Sequence, residues 1–169
     1  MKKISLLIIA ITTIASAQLR VGIDVSRQLS LSGLPAETAD GMGFTLGYEQ
    51  MLFSLVGLGA EHSAAGDEGI DMLYGYAVAK LPLGFPMLRG IARAGYSLPM
   101  GDAADYYDAG LAYGAGLRFK LPLFPIGLEA LYTMHNLEMK SNGDDLGDML
   151  ASLLKLKYNV MTLTATYSF

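Results

Sequence analysis

Residues 110–119 read Gly-Leu-Ala-Tyr-Gly-Ala-Gly-Leu-Arg-Phe, so that large apolar side chains alternate with glycine, alanine and one arginine. Alternation with a period of two is typical of a β-strand whose faces meet different environments. The pattern recurs in seven further stretches, at about 18–27, 41–50, 55–64, 71–81, 88–97, 127–134 and 160–169. The sequence therefore predicts an all-β fold of eight strands.

The predicted connections between these strands alternate in length. Short connections lie at about 50–54, 82–86 and 122–125, and longer ones at 27–41, 64–70, 98–109 and 138–154. Two short connections are near copies, 80–86 and 120–125, and each contains two prolines, which suit turns because proline cannot donate to a strand ladder. This pattern indicates an antiparallel up-and-down arrangement with short turns at one end and long loops at the other.

The position of glycine decides which face of the strands points inward. The chain contains 20 glycines in 169 residues, well above the usual share of ~7%. Ten of them fall on the polar parity of the strands: Gly22, Gly43, Gly47, Gly57, Gly59, Gly95, Gly110, Gly114, Gly116 and Gly127. Glycine would only weaken a solvated outer face, whereas the interior of an eight-stranded barrel is narrow and needs small residues. We therefore predict a transmembrane β-barrel with its polar face inward; a soluble lipocalin-type barrel is the alternative.

Charged residues share the polar parity with these glycines. The predicted lumen network consists of Arg20, Asp24, Glu49, Glu61, Arg89, Arg93, Arg118 and Glu129. Buried charges require partners, so we expect arginine–carboxylate pairs inside the barrel.

The facing of the fourth strand stays open. An outward placement of Tyr74, Tyr76 and Val78 sends Lys80 outward, whereas the repeated turn argues that Lys80 faces inward like Lys120.

The remaining twelve acidic residues lie in the long connections or at their edges. Asn142, Asp144, Asp145 and Asp148 offer the oxygen ligands that Ca²⁺ or Mg²⁺ prefers, although their spacing matches no EF-hand. The three aspartates are therefore weak candidates for a metal site, and a solvated acidic loop is the simpler interpretation.

The N-terminus has the features of a secretory signal. Two lysines precede an apolar stretch at 4–14, which is too short to span a bilayer, and Ala15-Ser16-Ala17 resembles a cleavage site. We expect residues 1–17 to be removed and residues 18–169 to form one barrel domain. The net charge of −4 disfavours nucleic-acid binding, and the absence of cysteine excludes disulfides, thiolate metal sites and cysteine nucleophiles.

The C-terminal alternation of Met161, Leu163, Ala165, Tyr167 and Phe169 resembles the terminal strand of small outer-membrane barrels of Gram-negative bacteria, similar to OmpX and the OmpA transmembrane domain. The resemblance covers residues 18–169. It implies that Leu163, Tyr167 and Phe169 form a signal for the outer-membrane assembly machinery. It also implies that the short turns face the periplasm and the acidic loops face outward, and that the partners are outer-membrane lipids and lipopolysaccharide.

Catalytic and transport functions have weak support in the sequence. His62 and Ser63 are neighbours and so point to opposite faces of a strand, and His135 shares its parity only with a threonine, Thr133. Eight strands leave no aqueous channel when the lumen is filled. We therefore expect a monomer without cofactor or catalytic residues, with a structural or surface-interaction role. The alternatives are an adhesin or ion-binding surface protein, a lipid A-modifying enzyme, a small porin and a soluble barrel.

Overall fold

The computed structural model describes residues 15–31, 35–66, 69–140 and 155–169. Eight long strands run antiparallel, each paired with its neighbours in the chain, and β1 also pairs with β8, so the sheet closes into a barrel. The strands are β1 Ala15–Leu31, β2 Gly43–Leu52, β3 Val56–Ala64, β4 Met72–Pro82, β5 Leu88–Pro99, β6 Gly110–Lys120, β7 Ile126–Met139 and β8 Lys155–Ser168. The predicted eight-stranded up-and-down barrel is confirmed.

The long connections carry short elements of their own. Helix α1, Ala103–Tyr106, precedes a two-residue strand at Tyr107–Asp108, which pairs with β7. Another two-residue strand, Glu37–Thr38, pairs with β1. No helix within the described ranges is long and apolar enough to cross a membrane.

The N-terminal end of β1 overlaps the predicted signal. The strand begins at Ala15, and Ala17 exchanges two backbone hydrogen bonds with Phe169, at 3.2 and 3.0 Å. Residues 1–14 lie outside the described residues. Cleavage after Ala17 stays a prediction, and it would start the strand at Gln18.

The outer wall of the barrel is apolar. Outward positions hold aliphatic and aromatic side chains along every strand, and those with a large exposed fraction include Val21, Phe44, Leu58, Leu111, Leu128 and Leu163. One wall groove of about 480 Å³ is lined mainly by such residues of β5–β8 and β1. Exposed Tyr48, Tyr96, Tyr113 and Tyr132 lie among them, as expected for aromatic side chains near a lipid interface.

The structure decides the facing of β4. Tyr74, Tyr76, Val78 and Lys80 all point into the barrel and are at most 4% exposed, while Gly75 and Ala77 form the outer wall. The repeated turn thus predicted the inward direction of Lys80, although Lys120 is exposed at the end of its strand. Hydrophobic alternation is a poor guide in this strand because two tyrosines and a valine occupy the lumen.

A β-bulge in β1 changes the facing of its second half. The register against β8 shifts between Asp24 and Ser26, so that Val25 has no partner in that ladder. Arg27, which falls on the apolar parity of the predicted strand, consequently points inward and is 1% exposed.

The lumen glycines leave no room for a side chain. A Cβ atom on Gly95 would lie 2.0 Å from the carbonyl oxygen of Gly75 and 2.6 Å from the Cα of Tyr76. We expect Gly95→Ala to lower the free energy of unfolding by about 1–3 kcal/mol, because backbone atoms of two strands must move apart. Urea unfolding of the protein in lipid vesicles measures this effect.

The matched control is Gly75→Ala, since a Cβ at this outward position meets nothing within 4 Å. Its expected effect is neutral or stabilising by up to ~1 kcal/mol, because alanine restricts the unfolded chain. Equal effects of the two substitutions would contradict the assignment of glycine to a crowded lumen.

Candidate functional site: the charged interior

A cluster of seven charged side chains fills the centre of the barrel, and each of the strands β1–β7 contributes one residue. In strand order these are Arg20, Glu49, Glu61, Lys80, Arg93, Arg118 and Glu129. Period-two alternation turns each of them inward, and barrel closure brings them together. Six of the seven are fully or almost fully buried, and Glu61 is partly buried.

Glu129 is the most connected carboxylate. It accepts a hydrogen bond from Nη1 of Arg20, and its Oε1 lies 3.0 Å from both Nζ of Lys80 and Nη1 of Arg118. Its Oε2 lies 3.7 Å from Nη2 of Arg93. One carboxylate therefore contacts four cations from four different strands.

The other two carboxylates share the same cations. Oε2 of Glu49 lies 2.5 Å from Nζ of Lys80. Its Oε1 lies 2.7 Å from Nη2 of Arg93 and 3.1 Å from Nη1 of Arg20. Oε2 of Glu61 lies 3.0 Å from Nη1 of Arg93 and 3.5 Å from Nε of Arg20. The pairs thus form one network, as buried ions require in a low-dielectric interior.

Two uncharged side chains complete the network. The hydroxyl of Tyr76 donates to Glu49 at 3.0 Å, while the guanidinium of Arg93 lies 4.3 Å from the centroid of the Tyr76 ring. The amide oxygen of Gln18 accepts from Lys80 at 2.9 Å and also from Arg118. Sequence reasoning missed Lys80, Tyr76 and Gln18; only the repeated turn signalled the direction of Lys80.

Two predicted network members lie apart from this cluster. Asp24 is buried further along β1, where its Oδ1 accepts from the hydroxyl of Thr162 at 3.1 Å. Arg89 lies at the short-turn end and donates to the carbonyl oxygen of Ser54 at 2.7 Å. Neither residue forms an ion pair with the seven within the described ranges, so the membership of Asp24 and Arg89 in the network stays a prediction.

The long-loop end of the lumen is closed differently. An apolar cluster fills it, formed by Ile70, Met72, Leu137, Leu156, Tyr158 and Val160. Buried Arg27 donates to the backbone carbonyls of Ala65 and, at 2.5 Å, Asp40, and so connects two long connections. Ion pairs and apolar packing together occupy the interior along its length.

Comparison with known proteins identifies the architecture. The barrel is similar to Neisserial surface protein A, with a TM-score of 0.61 and 10% identity over 92% of this chain and 97% of that one. It is also similar to the N-terminal β-barrel domain of OprF from Pseudomonas aeruginosa, with a TM-score of 0.50 and 12% identity over 91% and 97% of the two chains. A designed transmembrane β-barrel gives a TM-score of 0.57 and 10% identity over 91% and 95%.

The chain has the fold of the small outer-membrane β-barrels. No family model matches it, and no curated protein does. These likenesses concern the architecture, which agrees with the resemblance found in the sequence.

Within this outer-membrane-type barrel, a serine and a histidine lie within hydrogen-bond distance of each other. Their spacing in the sequence does not predict this pairing. The hydroxyl of Ser97 in β5 lies 2.6 Å from Nδ1 of His135 in β7. The pair is buried, and the ring of Tyr74 packs edge-on against the imidazole at 5.5 Å between centroids. Both residues lie on the polar parity, but their pairing depends on closure and could not be found from local spacing.

The remaining predicted site residues of the outer-membrane-type barrel lie at its surface or outside the description. Leu163, Tyr167 and Phe169 point outward, and the rings of Tyr167 and Phe169 are 6.3 Å apart. The metal candidates Asp144, Asp145 and Asp148 lie outside the described residues. Within the described ranges, no group of three histidine or acidic side chains is placed to hold a metal ion.

Proposed function

We propose that the protein is a monomeric integral outer-membrane protein with a structural or surface-interaction role. The proposal rests on one observation: the outside of the barrel is apolar, while the inside holds a paired ionic network. This is the reverse of the arrangement in water-soluble proteins. A face of this kind needs lipid around it. Outer-membrane phospholipid and lipopolysaccharide are thus the proposed surroundings, reached through the outer-membrane assembly machinery.

The filled interior supports a role without transport. Three carboxylates and four cations from seven strands cross the lumen, and an apolar cluster lies between them and the long loops. Opening a water-filled path would separate several buried ion pairs at once. Ser97 and His135 resemble a catalytic pair in their hydrogen-bond distance. They are buried in this interior, however, and burial disfavours access by a lipid substrate.

Membrane fractionation combined with gel mobility tests the proposal. We expect the protein in the outer-membrane fraction of a Gram-negative host, with a folded form that migrates differently from the heated form. Recovery as a soluble periplasmic protein with unchanged mobility would support the lipocalin-type alternative instead.

A second candidate function, binding of divalent ions or surface ligands, is favoured by the acidic long-loop end. The described connections at this end expose Glu37, Asp40, Asp102, Asp105 and Asp108, and Glu138 follows at the end of β7. Such a surface attracts cations at low ionic strength. An adhesin that binds host or matrix components would use the same loops, and deletion of residues 138–154 would then abolish whole-cell binding.

Calorimetric titration with Ca²⁺ tests the ion-binding candidate. If Asp144, Asp145 and Asp148 ligate the ion, the triple aspartate-to-asparagine variant loses the binding heat seen with the refolded wild-type protein. The control removes the same charge from another connection, through Asp102→Asn, Asp105→Asn and Asp108→Asn. Equal heats from both variants, or no heat at millimolar Ca²⁺, would leave solvation as the role of these acids.

A further inference from the structure

The short-turn end of the barrel is apolar up to its tips. We call the three connections 53–55, 83–87 and 121–125 the turn surface. Large apolar side chains stand exposed on it, namely Phe53, Leu55, Leu83, Phe85, Met87, Leu123 and Phe124. Turns in water are normally polar, and contiguous exposed apolar patches mark a surface that contacts something else.

The charge of this end is the opposite of that at the long-loop end. The turn surface contains no acidic residue, and two cations flank it, Arg89 and Lys120. Lys120 is exposed, and Arg89 is partly exposed at the rim of the lumen. An apolar surface bordered by cations complements a lipid layer, which offers hydrocarbon beside phosphate groups.

Each of the three turns contains a backbone amide that donates to a carbonyl of the same connection or its adjoining strand. The amide of Leu83 donates to the carbonyl of Leu88 at 3.2 Å, and the amide of Leu121 donates to that of Ile126 at 3.0 Å. The amide of Leu55 likewise donates to that of Leu52 at 3.1 Å. Four prolines at and beside these turns carry no amide donor at all. These bonds and the prolines lower the number of amide donors that require water, which favours a backbone that approaches hydrocarbon.

Two of the exposed apolar residues occupy strained positions. Phe53 has φ 52° and Leu123 has φ 67°, in the left-handed region that glycine or asparagine adopts at lower cost. Leu123 is fully exposed there and packs on no neighbour that would favour a leucine. Bulky apolar side chains at strained and exposed positions favour a contact outside the chain itself.

The length of the apolar wall also favours contact between the turns and a lipid layer. The outward apolar side chains of β6 run from Leu111 to Phe119, eight residues apart. At ~3.4 Å per residue and a tilt of about 40°, this run spans roughly 21 Å of the barrel axis, less than the ~25 Å apolar band of outer-membrane barrels. The turn at 121–125 continues the run and supplies the missing length.

We propose that the turn surface is a lipid-binding surface, embedded in the interfacial layer of the bilayer instead of projecting into water. Its apolar tips contact the upper acyl chains, and Lys120 and Arg89 lie against lipid phosphates. This inference rests on the proposed membrane location, and it adds that the barrel ends within the leaflet at this side.

Single-tryptophan fluorescence tests the proposal, since the chain contains no tryptophan. Phe124→Trp reports on the turn surface, Leu117→Trp on the lipid-facing wall and Tyr106→Trp on the exposed long-loop end. Each variant is refolded into phosphatidylcholine–phosphatidylglycerol vesicles, with and without lipid brominated near the top of the acyl chain. Heat-modifiable gel mobility verifies folding, and Leu83→Trp replaces Phe124→Trp if the latter does not fold.

We expect Phe124→Trp to emit at shorter wavelength than Tyr106→Trp and to be quenched several-fold more strongly by brominated lipid. Acrylamide in the water should quench the two in the reverse order. If Phe124→Trp behaves like Tyr106→Trp while Leu117→Trp is quenched by lipid, the turns project into water and this inference is wrong. A blue-shifted Phe124→Trp that brominated lipid does not quench would indicate contact with a second copy of the chain, and would also overturn it. Failure of Leu117→Trp to sense lipid would overturn the proposed membrane location itself.

Discussion

Replacing Glu129 by glutamine is expected to destabilise the folded barrel by about 3–5 kcal/mol, because it leaves buried cations without a balancing charge. The carboxylate contacts Arg20, Lys80, Arg93 and Arg118, and all five side chains are almost inaccessible to solvent. The measurement is the urea midpoint in lipid vesicles, read from the folded fraction on unheated gels.

The matched control is Glu37→Gln, the same chemical change at an exposed position in a long connection. Its expected effect is within ~0.5 kcal/mol. A second variant, Glu129→Gln with Lys80→Met, removes one cation together with the carboxylate and should recover part of the loss. If Glu129→Gln alone unfolds at the wild-type urea concentration, the interior is hydrated and the cluster does not hold the strands together.

Replacing Ala115 by arginine is expected to cost about 2–4 kcal/mol, because it places a charge near the middle of the lipid-facing wall. Ala115 is exposed on the outer face of β6, between Tyr113 and Leu117 in the alternation. The effect arises from lipid and not from packing, since the side chain points away from the barrel. Vesicle unfolding measures it as a lower urea midpoint, with a smaller folded yield on refolding.

The control for this substitution is Ala36→Arg in the exposed long connection before β2. There the arginine remains in water, and the stability should stay within ~0.5 kcal/mol of the wild type. Equal stability of the Ala115→Arg and Ala36→Arg variants would show that the apolar wall does not face lipid. That result would favour the soluble lipocalin-type barrel instead.

Much of the architecture was predictable because it depends on local periodicity. The alternation in 110–119 predicts β6 and its facing, and the position of glycine on the polar parity predicts a crowded lumen. Two features escaped prediction for physical reasons. The inward tyrosines of β4 are as apolar as the outer wall, and the bulge near Val25 changes the parity of Arg27 without a strong local signal.

The charged interior was predictable only as a set of inward residues. Parity places Arg89 and Arg118 on the same face as Glu129, but only strand pairing decides that Arg118 lies directly opposite Glu129 while Arg89 donates to Ser54. Lys80 could have been included through the repeated turn. Pairing of Ser97 with His135 across two strands that are not adjacent depends on closure, which no local spacing reveals.

The sequence by itself thus determined the number of strands, the inward polar face and the apolar exterior, because side chains alternate along a strand whatever the strand packs against. The tertiary structure alone decided which charges meet, how the long-loop end is closed and how far the apolar surface extends over the turns. These properties depend on register, bulges and barrel closure, which arise from pairing between residues distant in the chain.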